Sequence, residues 1–196
     1  MTITIPNINE FLQDYSLTEE QRQVLQIIAD YSSPTGTARF GPQLRLIVSG
    51  REGTGKSMLI VVIEQWFLKL NKRDELVLTA TSGAAAANIG GRTLHTALDI
   101  PIVRGDGYRA QEMSQDRKLE WASEKYFLVI DEFQRMDSIA WEKLDQQLDS
   151  VRPETTDPTF VGFHIVFVGD FLQLPAVSGL YIYNSREPAC LQGFVL

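Results

Sequence analysis

The chain has 196 residues, 44% hydrophobic and 22% charged, the size and balance of one globular domain. Those figures exclude a disordered tail and a collagen-like chain, and the single cysteine, Cys190, excludes a disulfide scaffold or a Cys-rich zinc site and favours a reducing, intracellular compartment. A net charge of -7 argues against coating nucleic acid by bulk positive charge, while leaving room for a local basic groove.

The opening residues, MTITIPNINEF, lack a basic stretch followed by an apolar one, so no secretory signal is expected. Residues 58–63 form the longest apolar run, far short of the roughly 20 residues of a membrane span. Val24, Leu25, Ile27, Ile28 and Tyr31 fall on one face of a helix over 19–31, with Thr18 as its N-cap and Gln21 as the capping-box partner. Residues 43–49 read as a short buried strand, 50–55 as a glycine-rich turn, and 57–70 as a mostly apolar helix covered on several sides. A second strand is expected over 75–79, a closely packed helix at the alanine run 84–87, and a third strand over 126–130. Residues 138–151 place Ile139, Leu144, Leu148 and Val151 on one helical face, and 163–168 form a fourth strand. Residues 100–121 read as an excursion from the sheet and 152–159 as a surface loop. Near-continuous apolar strands alternating with helices predict an α/β domain, a mainly parallel central sheet with helices on both faces.

Four segments carry chemistry. Gly50-Arg51-Glu52-Gly53-Thr54-Gly55-Lys56-Ser57 matches G-x-x-x-x-G-K-[ST] between a strand and a helix, the context that gives the pattern meaning. Its glycines, Gly53 and Gly55 with Thr54 between them, let backbone N–H groups turn toward phosphate oxygens at a helix start. Lys56 would reach the outer phosphates, and the Ser57 hydroxyl would hold Mg²⁺. Strand 126–130 then delivers Asp131 and Glu132, the first placed to hold the metal and the second to activate water, although many strands end in solvated acids. The third segment, Val168-Gly169-Asp170-Phe171-Leu172-Gln173-Leu174-Pro175, puts Gln173 where it can bond a terminal phosphate; on spacing alone an ordinary surface glutamine in a turn is the better explanation. The fourth runs from Thr79 to His95, TATSGAAAANIGGRTLH, whose small residues and hydroxyls allow a nucleic-acid backbone to approach closely, or simply allow tight helix packing. His164, inside a strand, reads as a packed core histidine, and Trp66, Trp121 and Trp141 as packing residues.

Taken in order, TATSGAAAANIGGRTLH, VIDEFQRMD and VGDFLQLPAV resemble the first motor domain of petite-integration-frequency DNA helicases of superfamily one. Leu17-Thr18-Glu19-Glu20-Gln21 is similar to that family's glutamine motif, and the resemblance extends from about Ser16 to the end. Ala176 stands where the family commonly has a second proline, and Phe133-Gln134-Arg135-Met136 replaces a stretch of smaller residues. The resemblance implies one RecA-like P-loop NTPase motor domain over 1–196 that uses ATP and Mg²⁺ and unwinds DNA five-prime to three-prime. By it Gln21 reads adenine, Lys56 and Ser57 hold phosphate and magnesium, Asp131 and Glu132 hold metal and activate water, and Gln173 senses the γ-phosphate. Thr81, Ser82, Asn88 and His95 match segments that contact single-stranded DNA. Forked DNA is the implied partner, with roles in repair, recombination and telomere maintenance and a nuclear or mitochondrial location if the source is eukaryotic. The chain stops at Leu196, before the second motor domain with its ATP-reaching arginines, so unwinding unaided is not expected. A phosphoryl transferase built on the same loop would share Lys56, Ser57 and Asp131, but would leave the segments around His95 and Gln173 without a purpose; a fragment that only binds nucleotide or DNA is the other alternative.

Overall fold

The computed structural model describes residues 6–32, 43–100, 113–152, 160, 162–170 and 192–195. Seven α-helices occur among them: α1 (Ile8–Phe11), α2 (Glu19–Ser32), α3 (Lys56–Lys69), α4 (Gly83–Asn88), α5 (Leu94–Ala97), α6 (Gln115–Glu124) and α7 (Ser138–Val151). Six strands accompany them: β1 (Arg45–Ser49), β2 (Leu76–Ala80), β3 (Arg92–Thr93), β4 (Phe127–Asp131), β5 (His164–Gly169) and β6 (Gln192–Val195). They form one sheet in the order β3-β2-β4-β5-β1-β6, parallel at every pairing.

The two faces of this sheet build two cores. Side chains alternate along a strand, so β4 sends Phe127 and Val129 to one side and Leu128 and Ile130 to the other. On the first side these meet Val24, Leu25 and Ile28 of α2 and Leu59, Ile60, Ile63 and Phe67 of α3. On the second they meet Leu94 of α5, Trp121 of α6 and Leu144 and Leu148 of α7. Covering both faces is why the strands read as unbroken apolar runs.

α2 starts with the expected capping box: the Gln21 amide N–H donates to Thr18 Oγ1 (3.3 Å), and the Thr18 N–H donates to Gln21 Oε1 (3.0 Å). His164 is a core residue as expected, its Nδ1 accepting from the Leu44 N–H at 3.0 Å and its ring packed against Tyr31 and Phe127. Trp121 is buried, Trp141 stacks on Phe167 with ring centroids 5.0 Å apart, and Trp66 Nε1 donates to Ser32 Oγ at 2.9 Å.

Three expectations change. Ile139 is 52% exposed, while Leu144, Leu148 and Val151 are buried; it sits in the first turn, five residues before Leu144 and so well round the helix from it. The stretch expected to leave the sheet contains α6, whose Trp121 closes the second core. The short strand β3 and the outer strand β6 were not anticipated. Gln173, Ala176 and Cys190 lie outside the described residues.

Candidate active site

Parallel strands end on the same side. Ser49 of β1 is level with Gly169 of β5, Asp131 of β4 with Val168, and Ala80 of β2 with Asp131. The four strand ends therefore lie together at the carboxyl end of the sheet, the end at which open α/β sheets bind ligands.

The glycine loop leaves β1 at this level, tied down by the Gly50 N–H donating to the Gly169 carbonyl at 3.0 Å. Gly53 and Gly55 have φ of +81° and +80°, a region that favours glycine. A Cβ on Gly53 would meet open space, whereas one on Gly55 would lie 2.7 Å from Gln21 Nε2. That close approach is purposeful: Gln21 is buried, and its Nε2 donates to the Thr54 carbonyl at 3.0 Å, so the cap of α2 braces the loop. Lys56 Nζ donates to the carbonyls of Gly50 (2.6 Å) and Arg51 (2.8 Å), which curls the ammonium into the loop. Ser57 is exposed in the first turn of α3.

Asp131 is 7% exposed, and burial pushes its carboxyl above the ordinary carboxylate range. The Glu132 N–H bond to Asp131 Oδ1 (2.9 Å) opposes the rise, the Glu132 charge adds to it, and the Lys56 charge opposes it. The loop lysine and the strand-end acid thus share one electrostatic neighbourhood. Glu132 has φ +54°, a left-handed conformation that costs a non-glycine residue about 1–2 kcal/mol. Thr81 Oγ1 donates to its carbonyl at 3.1 Å and Ser82 Oγ to its Oε2 at 3.1 Å, while Arg135 Nε pairs with the same Oε2 at 3.5 Å.

Of the four candidate DNA contacts, Thr81 and Ser82 therefore sit against Glu132. Ser82 is also the N-cap of α4, accepting the Ala85 N–H at 3.2 Å. Asn88 is exposed at the other end of α4. His95 lies in α5, two residues past Thr93, which is level with Ala80. Burial lowers the His95 pKa, with the Asp137 charge opposing.

Sequence reasoning missed Gln134. It is buried, and its Oε1 accepts the Asp170 N–H at 3.2 Å, which fastens the turn after the acid pair to the end of β5. Gly169 makes room for it, since a Cβ there would lie 2.2 Å from Gln134 Oε1. The larger residues at 133–136, set against a glycine at a strand end, were the available signal.

The groups at these strand ends suit a magnesium nucleotide: a hydroxyl and a carboxylate are hard oxygen ligands, and the ammonium and glycine-loop amides suit phosphate. Residues 16–188 match the family model described as PIF1-like helicase. The chain belongs to the PIF1-like helicase family. It is 33% identical over 136 residues to ATP-dependent DNA helicase PIF1 of Saccharomyces cerevisiae (strain YJM789), an alignment that takes in 68% of this chain and 16% of that relative. Unliganded Pif1 from Bacteroides sp is 27% identical with a TM-score of 0.63, over 84% of this chain and 34% of that one. A Bacteroides Pif1 solved with ADP-AlF3 and ssDNA is 22% identical with a TM-score of 0.70, over 93% and 43% of the two chains, and shares the fold. This PIF1-like chain is thus an α/β domain of the RecA-like class, spanning about a sixth of the curated relative's length.

Proposed function

We propose that this PIF1-like chain is an ATP-hydrolysing motor domain of a DNA helicase, working five-prime to three-prime along one strand. The observation that carries this reading is the glycine loop with Lys56 and the pair Asp131 and Glu132 at the same end of one parallel sheet, on strands β1 and β4 that flank β5, with the Lys56 charge acting on the Asp131 carboxyl. Its backbone amides and Lys56 hold the phosphates, Gln21 reads the adenine, and Ser57 with Asp131 hold the metal. Mg²⁺ held by Ser57 and Asp131 would supply positive charge against the charge that develops on the phosphate oxygens. Glu132 takes a proton from the attacking water, and Gln173 senses the terminal phosphate. Thr81, Ser82, Asn88 and His95 contact the strand.

Unwinding forked DNA requires a second motor domain, a reading supported by the small share of each relative that the chain spans. Repair, recombination and telomere roles, and a nuclear or mitochondrial site of action in a eukaryote, come with the same reading. Among the described residues no helix is long and apolar enough to cross a membrane.

The test is ATP turnover and fluorescent-nucleotide binding by the chain, with and without an oligothymidylate. Turnover should rise with the oligonucleotide, and Lys56→Ala should lower it about 10²-fold, the loss expected when one preorganised donor to a transferring phosphoryl group is removed. Turnover and nucleotide binding unaffected by Lys56→Ala would place the activity elsewhere.

A further inference from the structure

Ser82 spends its single hydroxyl proton on Glu132. Its oxygen accepts the Ala85 N–H at 3.2 Å, and its proton goes to Glu132 Oε2 at 3.1 Å. A serine hydroxyl has one proton to give. Ser82 also opens α4 beside exposed Gly83 and Ala84, where a Cβ on Gly83 would meet nothing. A strand phosphate arriving there is an acceptor and needs the same proton. Phosphate and Glu132 are then mutually exclusive partners of one group. The acid is also held by Arg135, on the same oxygen, and by a turn whose carbonyl is fixed by Thr81. Its position is therefore set from the β2–α4 junction rather than by its own strand alone.

We infer that Ser82 is a positioning residue for Glu132: with no strand present it restrains the carboxylate, and a nucleic-acid phosphate that takes the Ser82 proton releases that carboxylate toward the water it activates. This rests on the proposed function, which supplies the roles of Glu132 and of the α4 surface. The exclusion runs both ways, because coupling between two sites is reciprocal. Removing the Glu132 carboxylate frees the Ser82 proton, so nucleotide-free chain should bind a strand more tightly.

The experiment is a double-mutant cycle read by fluorescence anisotropy of a labelled oligothymidylate, without nucleotide. Glu132→Ala should tighten binding about fivefold, the size of one ordinary net hydrogen bond. In a Ser82→Ala background the same change should move affinity less than about twofold. Ser82→Thr, which keeps hydroxyl and cap, should restore the full effect and covers the case in which Ser82→Ala is too unstable to measure. ATP turnover supplies the second readout: Ser82→Ala should raise the strand-free rate and reduce stimulation by the oligonucleotide. An equal gain from Glu132→Ala with serine or alanine at position 82 would mean simple loss of negative charge, and would overturn the inference while leaving the motor reading intact. No gain in either background would overturn it as well. No oligonucleotide binding by any of the proteins would overturn the motor reading and the inference together.

Discussion

Asp131 pays for its place at the strand end with a raised pKa, since burial disfavours its charged form. The fold holds that proton more tightly than the unfolded chain does. Ionising Asp131 therefore costs stability, a cost that sets in as pH rises above 3.8 and is complete once pH passes the folded value. Asp131→Asn keeps an acceptor for the Glu132 N–H and removes the buried charge. It should raise the nucleotide-free Tm by about 2–4 °C, the shift that ~1 kcal/mol produces in a chain of this size, and abolish magnesium-dependent turnover. A lowered Tm in calorimetry would show that the charge is stabilising instead. With Asp131 as the proposed metal ligand in its carboxylate form, wild-type turnover should also fail on acidification at a higher pH than an ordinary aspartate would set. His95 shifts the opposite way: its lowered pKa keeps the imidazole neutral near pH 7, so in the proposed strand contact it would offer hydrogen bonds rather than charge.

Whole elements were legible where their period was long and regular. The apolar spacing of residues 138–151 gave α7 with its bounds intact, and the alternation of strand and helix gave the doubly covered sheet. β3 escaped notice because two residues, Arg92 and Thr93, hold no period, and its position follows from pairing with Thr79 and Ala80. Gly91 shows the constraint, since a Cβ there would lie 2.5 Å from the Leu78 carbonyl oxygen. The loop, the lysine and the acid pair could be read because their chemistry demands fixed residue types at fixed spacing. The bonds from Ser82 and Gln134 could not, because they join segments that meet only after the sheet forms.

Arg152 illustrates the same kind of hidden join. Just past the last turn of α7, its guanidinium lies 4.5 Å from the Tyr126 ring centre and 4.2 Å from that of Phe163. It donates to the carbonyls of Trp121, Ala122, Lys125 and Gly162, satisfying the C-terminal end of α6 and holding it against the start of β5. Arg152→Met keeps the length of the stem and leaves those acceptors without their donor. Urea denaturation should show a loss of about 2–3 kcal/mol with turnover per folded molecule unchanged; a loss within 0.5 kcal/mol, the ordinary range for surface changes, would reduce Arg152 to a surface cation.

For the molecule as a whole, the charge of -7 bears on the proposed strand binding. The proposed contacts are hydroxyls, an amide and a neutral imidazole, so they would neutralise few phosphates. Log affinity for an oligothymidylate should fall with log salt at a slope no steeper than about -2, corresponding to two or three phosphate contacts. A slope beyond about -4 would point to a basic groove built by other residues.

The pairing of β1 with β5 and β6 has a consequence for how the site comes into being. β1 carries the phosphate loop, yet its partners arrive late: the Leu44 N–H reaches His164, 120 residues on, and β6 begins only at Gln192. Contacts of such long range are slow to form because loop closure must precede their reward. A nascent chain halted before His164 would contain every residue of the loop and nothing to hold it level with Asp131. The glycine loop is thus set level with the end of β4 only after residues 164–169 have been made.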